Sequence, residues 1–171
     1  MIAHEDEMKI FDTSSIVCLL REIRFPKALD TCMKRGYLLA TSQEVFNEIL
    51  KNPDSFREFT AYGKFSILPV NDDSCFKKLS KRYPWLHDGE ISILCLGLQK
   101  EREHARYICI IDERARTLKD KLQIRIHGTV GLLLWQKDHW EISPGECDDL
   151  YNMFRESSFR ITEDILAELI K

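Results

Sequence analysis

Two apolar runs in this chain each stop on an aspartate. In "KIFDTSSIVCLL" the acid is Asp12, and in "YICIIDERARTLKD" the run Ile108–Ile111 ends at Asp112, with a cluster of charges directly after it. Two further acids sit at comparable places. Glu48 lies in "TSQEVFNEILK", after a short apolar stretch, and Glu90 lies in "LHDGEISILCLGL", ahead of the Asp112 segment. Carboxylates brought within a few ångströms of each other repel, and one tends to protonate unless a cation sits between them. An all-oxygen donor set of this kind suits Mg²⁺ or Mn²⁺ better than zinc.

For the acids to meet, they must lie on elements that converge. Residues 9–12 read as a strand, followed by a helix to about Arg24 that the Thr13–Ser15 hydroxyls are placed to cap. "FPKALDTCMKRG" reads as a helix, "YLLA" as a strand, and "TSQEVFNEILK" as a helix capped by Thr41 or Ser42 and stopped at Asn52-Pro53. "DSFREFTAYGK" is helical, "FSILPV" a strand, and "DDSCFKKLSKRYP" a helix up to Pro84. The helix of "HDGEISILCLGLQKERE" has Ile91, Leu94, Cys95 and Leu98 at helical spacing. After the strand at Tyr107–Ile111 come a helix over Ala115–Leu122, a brief strand "QIRI", and the helix "GTVGLLLWQK". Two amphipathic helices, "ECDDLYNMFRESS" and "TEDILAELIK", form the tail. Short apolar strands alternating with helices predict an α/β fold with a central parallel sheet covered on both faces. The expected division is a domain over residues 1–142 and a helical extension over 143–171 packed on it.

In parallel sheets, ligands collect outside the carboxyl ends of the strands, and right-handed crossovers keep those ends on one edge. Asp12 and Asp112 are expected at that edge. Each acid also has a purely structural explanation. Asp12 fits a helix cap, Asp112 a partner for Arg114 or Arg116, and Glu90 a favourable charge near a helix N-terminus with Asp88 as cap. Glu48 fits a solvated helix position, with Glu44 four residues earlier as a competitor for the same role.

The composition sets limits. The chain has 171 residues, of which 44% are hydrophobic and 31% charged, with a formal net charge of −3. That profile belongs to a globular domain able to bury a core, and it argues against a module held to nucleic acid by bulk positive charge. No apolar run approaches the roughly 20 residues of a membrane span. The start "MIAHEDEMKI" has neither a basic opening nor an apolar core, so no signal peptide is expected. Cys18, Cys32, Cys75, Cys95, Cys109 and Cys147 show no C-x-x-C spacing. They read as reduced core thiols, which points to a cytoplasmic protein. There is no G-x-G-x-x-G and no G-x-x-x-x-G-K-[ST], so nucleotide-binding folds of those kinds are excluded. A phosphotransfer enzyme using Asp12 as nucleophile would be expected to carry a D-x-D pair, and position 14 is Ser.

Taken together, "KIFDTSSIVCLL", "LHDGEISILCLGL", "IIDERARTLKDKLQIRIHGTVGLLL" and the tail "FRITEDILAELIK" resemble a PIN-domain family. They are similar to VapC-type toxin nucleases and to an uncharacterised prokaryotic subfamily with Gly-Glu and G-T-x-G-x-L-L motifs. The resemblance covers nearly the whole chain. It implies a three-layer α/β/α fold, an acidic site and Mg²⁺- or Mn²⁺-dependent hydrolysis of RNA. By position it implies Asp12, Glu48, Glu90 and Asp112 as catalytic acids, with Asp12, Glu90 and Asp112 on the metal. Thr13, Ser14 and Thr129 would support them. It further implies a possible small antitoxin partner and a possible homodimer, for which Leu132–Trp135 and the tail are candidate surfaces. Two positions depart from the pattern: Ser92 stands where a second acid is often found, and Glu113 where Asp is commoner. RNA contacts are expected from Lys77, Lys78, Lys81 and Arg82 on one side and from Arg114, Arg116 and Lys119 on the other, with Tyr83 and Trp85 able to stack on bases. His87 and His127 read as peripheral. The competing reading is a PIN-like domain that binds RNA or protein without cutting it.

Overall fold

A computed structural model describes residues 7–171 of the chain. The acidic opening segment, read above as no signal peptide, falls largely outside the described residues, as does the side chain of Glu113. The described residues form a parallel sheet of β1 (Met8–Phe11), β2 (Leu38–Ser42), β3 (Ser66–Leu68), β4 (Tyr107–Ile110) and β5 (Ile126–His127). Its order is β3-β2-β1-β4-β5. The chain therefore moves outward from β1 in one direction through β2 and β3, then returns to the other side of β1 for β4 and β5. The reversal lies between β1 and β4, whose register pairs Met8 with Tyr107 and Phe11 with Ile110.

Register decides which helices cover which face. Ile10 pairs with Cys109, and the Cys109 thiol points at the carbonyl of Ile93, at 3.8 Å, in α6 (Asp88–Arg102). Lys9 pairs with Ile108 on the opposite face, where its ammonium stands 5.9 Å from the ring of Trp135 in α8 (Thr129–Asp138). Because neighbouring residues of a strand point to opposite faces, α6 and α8 lie on opposite sides of the sheet. On the α8 side, Gln136 donates to the Ala28 carbonyl at 2.8 Å and so ties α8 to α2 (Lys27–Lys34). This is a three-layer α/β/α fold. The one large apolar cluster runs from Ile10 and Phe11 through Leu94, Cys109 and Leu133 into the tail residues Leu150, Phe154 and Leu169.

Several elements differ from their sequence reading. The helix expected to run to Arg24 is α1 (Thr13–Val17) followed by a π turn over Cys18–Glu22. That wider winding puts Cys18, Leu19, Leu20 and Ile23 all in the core. Asn52-Pro53 ends α3 (Gln43–Leu50) as expected, and it also starts α4 (Pro53–Tyr62), with Asn52 capping Ser55. The segment after Asp112 is a 3₁₀ turn over Glu113–Leu118 leading to the short α7 (Lys119–Leu122), not one α-helix. The following strand is Ile126–His127, shifted from "QIRI". The remaining helices are α5 (Asp73–Arg82), α9 (Pro144–Glu156) and α10 (Glu163–Ala167), the last shorter than the amphipathic pattern suggests. Leu132 and Leu133 are buried core residues, which removes them as a dimer surface. Among the described residues no helix is long and apolar enough to cross a membrane.

One glycine sets the helix-to-sheet distance. A Cβ on Gly97 of α6 would lie 2.8 Å from the buried Cys109 Sγ of β4. Gly97→Ala is therefore expected to destabilise the fold by about 1–3 kcal/mol through overpacking. Urea denaturation should show a lowered midpoint, part of which returns when Cys109→Ala is added to make room.

Candidate active site

Asp12 is the first residue after β1, and its backbone N–H still donates to the Ile110 carbonyl at 3.1 Å. Its extended backbone makes it the N-cap of α1, with Oδ1 accepting from the Ser15 N–H at 2.8 Å and the Ser14 hydroxyl lying 3.2 Å from Oδ2. Of the two caps the sequence offered, Asp12 and the Thr13–Ser15 hydroxyls, the cap is Asp12. Asp112 leaves β4 on the same edge, and its N–H lies 3.5 Å from Asp12 Oδ2. The Asp112 carboxylate accepts from the Thr129 N–H at 2.8 Å and from the Thr129 hydroxyl at 2.5 Å. Asp12 is 2% exposed and Asp112 7%. Burial first, and the neighbouring Asp112 charge second, push the Asp12 carboxyl up to about 7.

Glu48 arrives from α3, which Ser42 caps through the Val45 N–H at 3.0 Å. Its carboxylate accepts from the Thr13 hydroxyl and, at 2.9 Å, from the Gly89 N–H at the start of α6. A Cβ on Gly89 would fall 2.6 Å from that carboxylate, so the Gly-Glu motif needs glycine because Glu48 occupies the side-chain position. Glu90 accepts from the His87 N–H at 2.8 Å, which closes the first turn of α6. The N-cap position is His87, and Asp88 is the first helical residue. Ser92 is buried between Ser42, at 2.6 Å, and the Gly89 carbonyl, also at 2.6 Å. It joins α6 to the end of β2 and has no place in the cleft.

These residues line two cavities on either side of the aspartates. The larger, about 510 Å³, is bounded by Asp12, Thr13, Ser14, Val17, Glu48, His87 and Glu90. Glu48, and not its competitor Glu44, faces it. The smaller, about 160 Å³, has Asp112, Arg116 and tail residues from Phe159 to Ile165 in its walls. His87, read as peripheral from the sequence, lines the larger cavity. The tail had given no sequence signal for a place beside Asp112.

Among the described residues no group of three His, Cys, Asp or Glu side chains is drawn together as a ready cation cage. The donor chemistry nevertheless fits a hard cation. Two buried carboxylates lie side by side, burial and mutual repulsion penalising charge on Asp12, and Mg²⁺ commonly uses one or two carboxylates with water completing its shell.

The basic residues divide. Lys77, Lys78, Lys81 and Arg82 are exposed along α5, and Arg114 and Arg116 are exposed on the 3₁₀ turn. Trp85 is 38% exposed with the Arg114 guanidinium 5.8 Å from its ring centroid, so the two clusters meet there. Tyr83 is only 6% exposed and packs edge-on against Trp85, which removes it as a stacking platform for bases.

The raised Asp12 carboxyl has a consequence for stability. Without metal, the folded state holds a proton that the unfolded chain has already lost, so stability falls as pH rises from about 4 to about 7 and then levels off. Asp12→Asn keeps an N-cap and removes the charge. In EDTA at pH 7.5 it should be more stable than the parent by on the order of 1–3 kcal/mol, with the pH slope flattened. Thermal melts across that pH range check both.

No curated protein and no solved structure matches the chain. The family model DUF3368, a PIN domain, matches residues 8–171. The match takes in the sheet, the converging aspartates and the C-terminal helices together. The chain belongs to the PIN-domain family.

Proposed function

We propose that this protein is a Mg²⁺- or Mn²⁺-dependent endoribonuclease. PIN domains are generally nucleases that use divalent metals. The observation that carries the reading for this chain is the buried Asp12–Asp112 pair at the point where the strand order reverses, with the Asp112 N–H 3.5 Å from Asp12 Oδ2. In this reading Asp12, Asp112 and Glu90 would hold the cation. The bound cation supplies Lewis-acid polarisation of a phosphoryl oxygen and a water of lowered pKa.

The protein's own groups position that chemistry. Thr129 fixes the orientation of the Asp112 carboxylate through two hydrogen bonds. Glu48 clamps Thr13 and Gly89, so the start of α1 and the start of α6 stay at a fixed separation across the cleft. The exposed cations of α5 and of the turn after Asp112 offer phosphate contacts, and the net charge of −3 suits a short, local footprint. No serine or histidine nucleophile is needed. We further infer a nuclease domain over 1–142 with residues 143–171 as an extension packed on it, and a cytoplasmic toxin held in check by a small antitoxin. That last step rests on the family resemblance. A second reading, RNA or protein binding without turnover, is favoured by one feature: Glu90 is engaged in closing its own helix.

Purified protein should cut a mixed structured RNA with Mn²⁺ or Mg²⁺ and fail to do so in EDTA. Asp112→Asn should lower the rate by at least about 10²-fold. Cutting that persists in the variant would disprove the site, and metal-independent binding with no cutting across a panel of RNAs would favour the second reading.

A further inference from the structure

The smaller cavity beside Asp112 is not explained by cation binding. Its polar wall is Asp112, Arg116, Arg160 and Thr162, and Val130, Phe159, Ile161 and Ile165 supply the apolar remainder. Arg116 and Arg160 come from separate segments of the C-terminal third of the chain, and neither makes an ion pair or hydrogen bond with the described residues. Arg116 Nη1 and Asp112 Oδ1 both lie close over Gly128, 2.8 and 3.2 Å from where a Cβ would stand.

Arg160 sits on the strap between α9 and α10, and the strap is anchored on both sides. The Ser158 hydroxyl donates to the Glu22 carboxylate at 3.0 Å, and the Phe159 ring packs 5.7 Å from that of Phe154. Beyond the pocket, the Tyr151 hydroxyl donates to Glu163 at 2.6 Å, and Leu166 and Leu169 are buried. The guanidinium is therefore presented from a fixed backbone next to an acidic centre.

We propose that Arg116 and Arg160 form a phosphate subsite that seats the backbone phosphate next to the one being cleaved. This deepens the nuclease reading and rests on it. The argument is electrostatic. A strand entering a cleft with two buried carboxylates brings phosphates against like charge, and two arginines that make no ion pair among the described residues, lining the same pocket as Asp112, offset that repulsion immediately beside the reacting group. Guanidinium forks match phosphate oxygens in a bidentate way, which an ammonium does not. The pocket holds a phosphate and a few waters, given roughly 30 Å³ per water in the liquid, and its apolar wall faces the sugar side of the strand. The C-terminal extension thus completes the substrate cleft.

The test is binding of a fluorescein-labelled single-stranded RNA of mixed sequence, followed by anisotropy in Ca²⁺ over a range of salt. Parent, Arg160→Ala, Arg116→Ala and Arg160→Lys would be compared, with Arg155→Ala on α9 as the control. Both alanine variants should bind roughly tenfold more weakly at low salt, the scale of one charge-assisted hydrogen bond. Each should also lower the salt slope by about 0.7. Arg160→Lys should fall between, and Arg155→Ala should match the parent. Circular dichroism melts establish that the variants are folded.

Equal binding by folded Arg160→Ala and parent would overturn the subsite, even if the parent cuts RNA. Tighter binding or faster cutting by Arg160→Ala would also overturn it and make the strap an inhibitory cover. Weakened binding by the variants of a protein that never cuts would keep the subsite and sink the nuclease reading. No RNA binding by the parent would sink both.

Discussion

The structure turns on the pairing of β1 with β4 at the centre of a parallel sheet. Those strands lie side by side although about a hundred residues separate them, and every crossover between them runs out and back to bring them together. Both strands carry apolar residues on both faces, because helices cover the sheet above and below. Where each strand leaves the sheet, the first polar residue is an aspartate, and the pairing forces the two carboxylates against each other. Burial then makes the repulsion costly, since few waters remain to screen it, and the Asp12 carboxyl is pushed up to about 7. The acid pair is thus a strained feature of an otherwise satisfied fold, as sites of chemistry commonly are.

Much of the surrounding polar structure keeps that strain local. Asp12 is stabilised by the α1 N-terminus, Asp112 by the backbone and hydroxyl of Thr129, and Glu48 by Thr13 and the N–H of Gly89. Each of these carboxylates accepts from a backbone N–H at the start of a helix. The sequence reading had set a structural role against a functional one for each acid, and a helix N–H that satisfies a carboxylate also orients it. Ser92 shows the opposite case. An acid there would be buried against the Gly89 carbonyl, which repels it, with the Ser42 hydroxyl as the donor on its other side, whereas a serine hydroxyl donates to that carbonyl and accepts from Ser42.

The C-terminal helices join the core through Leu150, Phe154, Leu166 and Leu169, and the strap between them passes beside Asp112. The tail and the acids are therefore parts of one surface. A substrate strand lying along that surface would meet carboxylates, arginines and the half-exposed Trp85 within the same short stretch. The arrangement suits recognition of a few phosphates and bases more than an extended basic groove.

The sequence by itself determined the fold class, the strand-end positions of Asp12 and Asp112, the helix that carries Glu48 and the helix start that carries Glu90. Each of these is a local property, written in hydrophobic periodicity, cap residues and the point where an apolar run stops. Boundaries were less legible where packing overrode local preference, as in the π turn over Cys18–Glu22, which rotates four apolar residues into the core, and the 3₁₀ turn after Asp112. Only the tertiary structure decided that Tyr83 is a core residue and Trp85 an exposed one, that His87 lines the cleft, and that Arg160 lines the same cavity as Arg116. Those facts depend on which surfaces meet across long sequence separations, and a helix or turn carries no local mark of the partner that will bury one side of it.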